Sequence, residues 1–281
     1  ASGPRKSGQI PDMYFEVNGK KSFASTGGKA FDPAKPVVIF LNGSGLDHTF
    51  WGLQSRFFAF RQYSVLCPDY PGHSHSDGPA LESIEEMGAW INDVVETLDA
   101  NNISVVAHSQ GCLVALEYVS RYPERVKSVS FVASGLATPV NAALIDAAEK
   151  NPDAAIGMMI SWGFGPAGHL HQGPIPGNSM LAGGRMIMGR NVPTGLATDL
   201  KACNAYQNGK AAAAAVRCPR QVVLAGKDRM APRKAGMELV RHLDDPELAI
   251  IEDSGHMIPQ EAPNRLRKLL RDFIFTNNPA R

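Results

Sequence analysis

The sequence lacks a long apolar run, a cysteine pattern and a surplus of either charge. No stretch of about 18 consecutive apolar residues occurs in the 281-residue chain, so we expect no transmembrane helix. The 28 Lys and Arg residues nearly balance the 27 Asp and Glu residues, and no basic block stands out, which argues against nucleic acid or a membrane surface as partner. The four cysteines form no C-x-x-C pair, so we predict reduced, mostly buried thiols.

The N-terminal stretch ASGPRKSGQIPD has a basic pair but no apolar segment behind it, unlike an intact secretory signal. We therefore expect a cytoplasmic protein. The sequence leaves open whether it is a monomer or a homodimer. The hydrophobic fraction of 44% and the charged fraction of 20% are ordinary for a globular protein, and the length allows a large buried core.

Strand and helix patterns alternate along most of the chain. Asn18-Gly19 between two short alternating runs predicts a hairpin, and VVIFLNG is typical of a strand covered on both faces. LESIEEMGAWINDVVETLDA has the spacing of an amphipathic helix, and ISVVAHS is a strand that runs into the helix QGCLVALEYVSRYPERV. This order predicts an α/β fold with a mostly parallel sheet of roughly eight strands, an antiparallel start and helices on both faces.

The pattern changes between residues 136 and 216, where Gly, Pro and Met become frequent and no strand pattern appears. Helical patches, AALIDAAEKNPDAAIGMMI and LATDLKACNAYQNGKAAAAAV, flank a stretch that we interpret as irregular loops, SWGFGPAGHLHQGPIPGNSMLAGGRMIMGRNVPTGL. We predict a core over 1–135, a helical insertion over 136–216, and a return to the core over 217–281.

The stretch AHSQG places Ser109 between a strand and a helix. It matches the nucleophile motif G-x-S-x-G except that Ala107 replaces the first glycine, and such a turn exposes the serine hydroxyl above the sheet. The alternative is a serine that only caps the helix. The five residues alone leave both interpretations open.

The loop LNGSGLDHTFW follows another buried strand and is rich in glycine. Such a loop can present a backbone N–H group to a developing oxyanion, and we predict Ser44 as that donor. The second donor would be the N–H of Gln110, at the start of a helix, where the helix dipole adds to the effect. A phosphate-binding loop is the rival interpretation, but the Lys-Ser/Thr ending and the G-x-G-x-x-G spacing are both missing.

Asp228 in VVLAGKDRMAP and His256 in IIEDSGHMIP each follow a strand pattern. Taken singly, the aspartate could be a turn or capping residue, and a lone loop histidine means little. The order Ser109, Asp228, His256, each after a strand, places all three at one edge of a parallel sheet. A nucleophile, a base and an acid that orients the base need this proximity.

These motifs together give the chain a resemblance to the α/β-hydrolase superfamily, in a branch with a helical cap inserted before the seventh core strand. The motifs, in order, are LNGSGLDHTFW, PDYPGHSHSDGP, AHSQG, AGKDRMAP and DSGHMIPQEAP. The resemblance implies Ser109 as nucleophile, His256 as base, Asp228 as acid, and no cofactor. The sequence departs from the family at Ala107 and at Asn42, where the family often has His, and Asn42 puts in doubt how the oxyanion loop is braced.

The remaining histidines and the apolar residues of the insertion are further candidates for binding roles. The two H-x-H pairs lie in Gly- and Pro-rich loops without a clear carboxylate or third histidine, so we predict no metal site at His73, His75, His169 or His171. Candidate substrate contacts are Asn42, Gly43, His48, Trp162, Met186 and Met257.

We expect hydrolysis of a carboxylic ester, a lactone or a thioester with a small to medium, largely apolar substrate, through an acyl-enzyme. One alternative is C–C bond hydrolysis as in meta-cleavage product hydrolases, which share NGSG but usually continue with Pro-Gly. Leu46-Asp47 in this chain instead resembles esterases and cofactor-free haloperoxidase-like members. A second alternative is a catalytically silent binding protein on the same fold.

Overall fold

A computed structural model describes residues 12–191 and 195–280, so most of the N-terminal stretch ASGPRKSGQIPD lies outside it. The strands it describes are β1 Asp12–Val17, β2 Lys20–Ser25, β3 Val37–Leu41, β4 Ser64–Pro68, β5 Ile103–His108, β6 Val126–Val132, β7 Arg220–Ala225 and β8 Glu247–Ile251. The α-helices are α1 Gly52–Ala59, α2 Ile84–Thr97, α3 Gln110–Arg121, α4 Ala142–Lys150, α5 Pro152–Gly163, α6 Pro166–His169, α7 Met180–Arg190, α8 Leu196–Ala205, α9 Gly209–Ala215, α10 Arg233–His242, α11 Ile258–Glu261 and α12 Pro263–Asn277. Short 3₁₀ helices span His48–Trp51 and Pro123–Arg125.

The strands form one sheet in the order β1-β2-β4-β3-β5-β6-β7-β8. β1 pairs with β2, and β2 with β4, in antiparallel fashion, whereas all other neighbours are parallel. The hairpin turn uses positive φ at Asn18 (53°) and Gly19 (75°), the conformation that the Asn-Gly pair predicts. The predicted eight-stranded, mostly parallel fold is confirmed.

The sheet is covered on both faces, which explains its continuous apolar strands. Alternate residues of β3 point to opposite faces, so Val37 and Ile39 join one apolar cluster while Val38 and Phe40 join another. Helices α2 and α3 pack on the first face, and α1 and α12 pack on the second. Polar groups at the carboxyl ends of the parallel strands therefore meet at one edge above the sheet.

The segment between β6 and β7 contains helices α4 to α9 and, among its described residues, no strand. The interpretation of the stretch from Ser161 to Leu196 as irregular loops was wrong for α7, an eleven-residue helix. Its glycines obscure the helical pattern, but Gly184 lets α7 approach α5 closely, because an added Cβ would lie 2.8 Å from Ile160 Cδ1. Tertiary packing therefore stabilises a helix that its own residues favour weakly. Among the described residues, no helix is long and apolar enough to cross a bilayer.

Candidate active site

Ser109 lies on a strained turn between β5 and α3. Its φ of 54° and ψ of −121° are rare for a residue with a side chain, and such strain clusters at functional sites. The turn is held by the Ser109 N–H, which donates to Val132 O at 3.1 Å, and by the Ser134 hydroxyl, which donates to Ser109 O at 3.1 Å. Gly111 is required because an added Cβ would lie 2.6 Å from Leu41 O. The Ser109 side chain makes no capping hydrogen bond to the helix.

Ala107 occupies the position where the nucleophile motif usually has its first glycine. It lies within β5, paired with Leu41 on β3 and Phe131 on β6, and it is fully buried. A methyl group is accommodated there between two neighbouring strands.

His256 and Asp228 form a buried hydrogen-bonded pair. His256 Nδ1 lies 2.8 Å from Asp228 Oδ2, and the two side chains are 2% and 1% exposed. The other carboxylate oxygen, Oδ1, accepts the N–H groups of Met230 and Ala231, each at 2.8 Å. Because the Nδ1–H must face the carboxylate, neutral His256 carries its free lone pair on Nε2, the atom that can accept a proton.

His108, which the sequence reasoning did not assign a role, also supports His256. It is fully buried, and its Nε2 donates to His256 O at 2.9 Å. Burial first, and then the charge that His256 carries when protonated, hold the pKa of His108 well below its ordinary value. His108 is therefore a neutral donor that fixes the backbone of the histidine loop. The sequence offers no signal for this, since the contact joins residues 148 positions apart.

The glycine-rich loop after β3 forms a tight turn beside the serine. The Leu46 N–H donates to Gly43 O at 3.1 Å, and Gly45 has a φ of 66°. An added Cβ on Gly43 would lie 3.1 Å from Ser109 Cβ, so the loop packs directly against the turn that carries Ser109. Gln110 is the first residue of α3, and the N–H of a first helical residue has no partner within the helix.

A cavity of about 310 Å³ brings these loops together. Ser44, Ser109 and His256 line it. Apolar walls come largely from the segment between β6 and β7, the loop after β3 and the loop after β8: Leu46, Leu144, Met159, Trp162, Leu200 and Met257. Arg229, which is exposed and next to Asp228, is the one lining residue with a fixed charge among the described residues.

The six candidate substrate contacts separate into two groups. Gly43, Trp162 and Met257 line the cavity, whereas Asn42, His48 and Met186 are not among its lining residues. Proximity to a motif in sequence, or location in the insertion, does not determine the direction of a side chain.

The three residues outside the cavity have other surroundings. Fully buried Asn42 donates from Nδ2 to Pro68 O at 3.0 Å and so ties the end of β3 to the end of β4. His48 contacts Asp69 at 3.0 Å. Met186 is 62% exposed on α7.

The family is established by sequence. Residues 38–269 match the profile described as the alpha/beta hydrolase family. The chain belongs to this family. A relative from Mycobacterium tuberculosis strain H37Rv, described as an uncharacterized protein, is 25% identical over 268 residues, which cover 87% of this chain and 77% of that protein.

Solved structures show the same fold at low identity. The enol-lactonase from Burkholderia xenovorans LB400 superposes with a TM-score of 0.79 at 21% identity, covering 93% of this chain and 99% of that one. A thermophilic esterase from Thermogutta terrifontis superposes with a TM-score of 0.81 at 17% identity, covering 95% and 99%. The alpha/beta hydrolase fold thus extends over nearly the whole chain.

Proposed function

We propose that the protein hydrolyses carboxylic esters through an acyl-enzyme formed on Ser109. The observation that carries this proposal is the buried Asp228–His256 pair, whose histidine lines the same cavity as a serine held at positive φ. Family membership and neighbours that are named an esterase and an enol-lactonase support it.

The reaction has two halves with the same proton path. In the first, His256 Nε2 takes the hydroxyl proton while Ser109 Oγ bonds to the carbonyl carbon. The backbone N–H groups of Ser44 and Gln110 bind the oxyanion, and Asp228 stabilises the imidazolium. His256 then returns the proton to the departing alcohol as the C–O bond breaks.

In the second half, water replaces the serine as nucleophile. His256 accepts one proton from the water, the new hydroxyl bonds to the acyl carbon, and the proton goes to Ser109 Oγ as the acid leaves. Each oxyanion donor contributes roughly 3 kcal/mol to such a step. None of these steps needs a metal or an organic cofactor.

The cavity supports a small to medium, largely apolar substrate. Its volume of about 310 Å³ lies at the lower end of the range for small-molecule sites. Apolar side chains line most of it, and the exposed Arg229 adds one positive charge at its border. A lactone fits the same scheme, because ring opening differs only in that the alcohol stays attached to the acid.

Hydrolysis of p-nitrophenyl butyrate tests the proposal. Ser109→Ala should lose kcat by at least about 1,000-fold, because the nucleophile is removed. Ser120→Ala is a matched control, since its hydroxyl bonds Glu117 O on the same helix without lining the cavity, and it should retain activity within twofold. A fluorophosphonate should label Ser109, as located by mass spectrometry. Equal rates for wild type and Ser109→Ala, or labelling elsewhere, would contradict the assignment.

A further inference from the structure

The turn that carries Ser44 is held by side chains from the segment between β6 and β7. The Gly45 N–H donates to Asp199 Oδ2 at 2.7 Å, and Gly45 O accepts from Asn191 Nδ2 at 3.0 Å. Asp199 lies on α8 and is fully buried, and Asn191 follows α7 and is 1% exposed. Both polar backbone groups of Gly45 are thus bonded to a part of the chain about 150 residues away.

Asp199 is also paired with a buried histidine. His73 Nε2 lies 2.9 Å from Asp199 Oδ2, and its Nδ1 lies 3.1 Å from Pro71 O. Both ring nitrogens face acceptors, so both carry a proton and the ring is a cation. Asp199 is therefore an anion with its charge balanced in the interior, and an ionised acceptor makes the stronger hydrogen bond to the Gly45 N–H.

Steric contacts leave this arrangement little freedom. An added Cβ on Gly45 would lie 2.8 Å from Leu196 Cδ1, and one on Gly195 would lie 2.4 Å from His73 Nε2. The positive φ of Gly45 adds to the contact with Leu196 in favouring glycine there, and Gly195 lets the imidazole ring approach the start of α8 closely.

The bond to Asp199 selects the orientation of the middle peptide of the turn. The turn is closed by the hydrogen bond from the Leu46 N–H to Gly43 O, and its middle peptide joins Ser44 to Gly45. This peptide can take two orientations in such a turn, and only one of them gives the third residue, Gly45, a positive φ. The Gly45 N–H is occupied by Asp199, which leaves the neighbouring Ser44 N–H as the donor of this turn for the cavity.

We propose that Asp199, paired with His73, is a positioning residue that orients the Ser44–Gly45 turn of the oxyanion site, so that ester cleavage depends on the docking of α8. This inference rests on the proposed function. It assigns to the segment between β6 and β7 a part in stabilising the transition state, in addition to lining the cavity.

Asp199→Ala tests the inference with p-nitrophenyl butyrate. The variant should lose kcat by about 10- to 100-fold, with KM within about threefold, since a misdirected donor costs less than the 100- to 1,000-fold of a deleted one. Asp199→Asn keeps an oxygen for the Gly45 N–H but lacks the charge, and its loss should be smaller, about three- to tenfold. A trifluoromethyl ketone, which forms a tetrahedral oxyanion with serine, should bind more weakly in step with kcat/KM.

Glu117→Gln is the matched control. Glu117 is also a fully buried carboxylate that joins the same segment to the core, accepting from Tyr206 Oη at 2.8 Å and Asn208 Nδ2 at 2.7 Å. It does not line the cavity. We expect both Glu117→Gln and Asp199→Ala to lower the melting temperature, but only Asp199→Ala to lower kcat and the affinity for the ketone.

The outcomes separate the inference from the proposed function. Unchanged kcat and ketone affinity in Asp199→Ala, or an equal loss in Glu117→Gln, would overturn the positioning role while leaving Ser109 as nucleophile. If Asp199→Ala does not fold, unchanged kcat and ketone affinity in Asp199→Asn would overturn it in the same way. An inactive wild type, or an active Ser109→Ala, would overturn both.

Discussion

The two sides of the cavity are held in different ways. On the side of the Asp228–His256 pair, the base side, Asp228 is oriented by the N–H groups of Met230 and Ala231, two and three residues further along the chain. On the side of the turn that carries Ser44, the oxyanion side, Gly45 is held by Asn191 and Asp199, which are 146 and 154 residues away. A short segment of chain therefore orients the proposed acid, whereas the proposed oxyanion turn is bonded to a helical segment far along the chain.

The two sides also differ in how a buried carboxylate is stabilised. Asp199 faces the His73 cation, whereas Glu261 on the base side accepts the N–H groups of Gly165 at 2.9 Å and Gly255 at 3.1 Å. Burial raises the pKa of Glu261 more than these hydrogen bonds lower it. A raised pKa in the folded state, as for His73 on one side and Glu261 on the other, means that stability is lost as the pH rises, but the two losses fall in different pH ranges.

The largest expected effect tests the base side. Asp228→Asn should lower kcat by about 1,000- to 10,000-fold, because the amide favours the wrong tautomer of His256. The side-chain oxygen can still accept from Met230 and Ala231, so the melting temperature should change little, as calorimetry would show. A loss of kcat no larger than that of Asp199→Ala would remove the contrast between the two sides.

A second prediction concerns stability on the oxyanion side. Burial alone lowers the pKa of His73, but the charge and hydrogen bond of Asp199, the Pro71 carbonyl and the charge of Asp69 outweigh it and raise the pKa to about 9. The raised pKa means that this stabilisation is fully present below pH 6.5 and is lost as the pH rises through about 9. It amounts to about 3 kcal/mol.

Urea unfolding of wild type and His73→Gln between pH 6 and 10 measures this effect. The glutamine does not titrate, so the advantage of wild type over the variant should shrink across that range. A difference that stays constant with pH would show that the pKa of His73 is not raised in the folded protein.

The smallest expected effect concerns Glu261. Because its pKa is raised in the folded state, the ionised carboxyl costs stability once the pH exceeds its ordinary value near 4.5. Relative to wild type, Glu261→Gln should therefore gain stability as the pH rises from 4.5 to 7, by less than about 1 kcal/mol. Chemical denaturation at several pH values would measure this difference in the free energy of unfolding. A variant that loses stability relative to wild type as the pH rises would contradict the raised pKa of Glu261.

Local patterns predicted the sheet and most of its helices correctly, because the apolar residues buried on one face of a helix or strand recur at the spacing of that element. Ile84, Met87 and Ile91 recur at helical spacing and are buried on one face of α2. Helix α7 was missed because its glycines interrupt the helical spacing of apolar residues. Among the substrate candidates, Asn42 and Met186 were chosen by position in the chain, which does not reveal where a side chain points.

The sequence by itself determined the alternation of strands and helices, the family, and the positions of Ser109, Asp228 and His256, each after a strand of the parallel sheet, since parallel strands bring their carboxyl ends to one edge. Only the tertiary structure joined His108 to the histidine loop, and His73 and Asp199 to Gly45. These contacts connect residues more than 100 positions apart. Their geometry depends on how the helical segment packs against the sheet, which no local spacing of residues encodes.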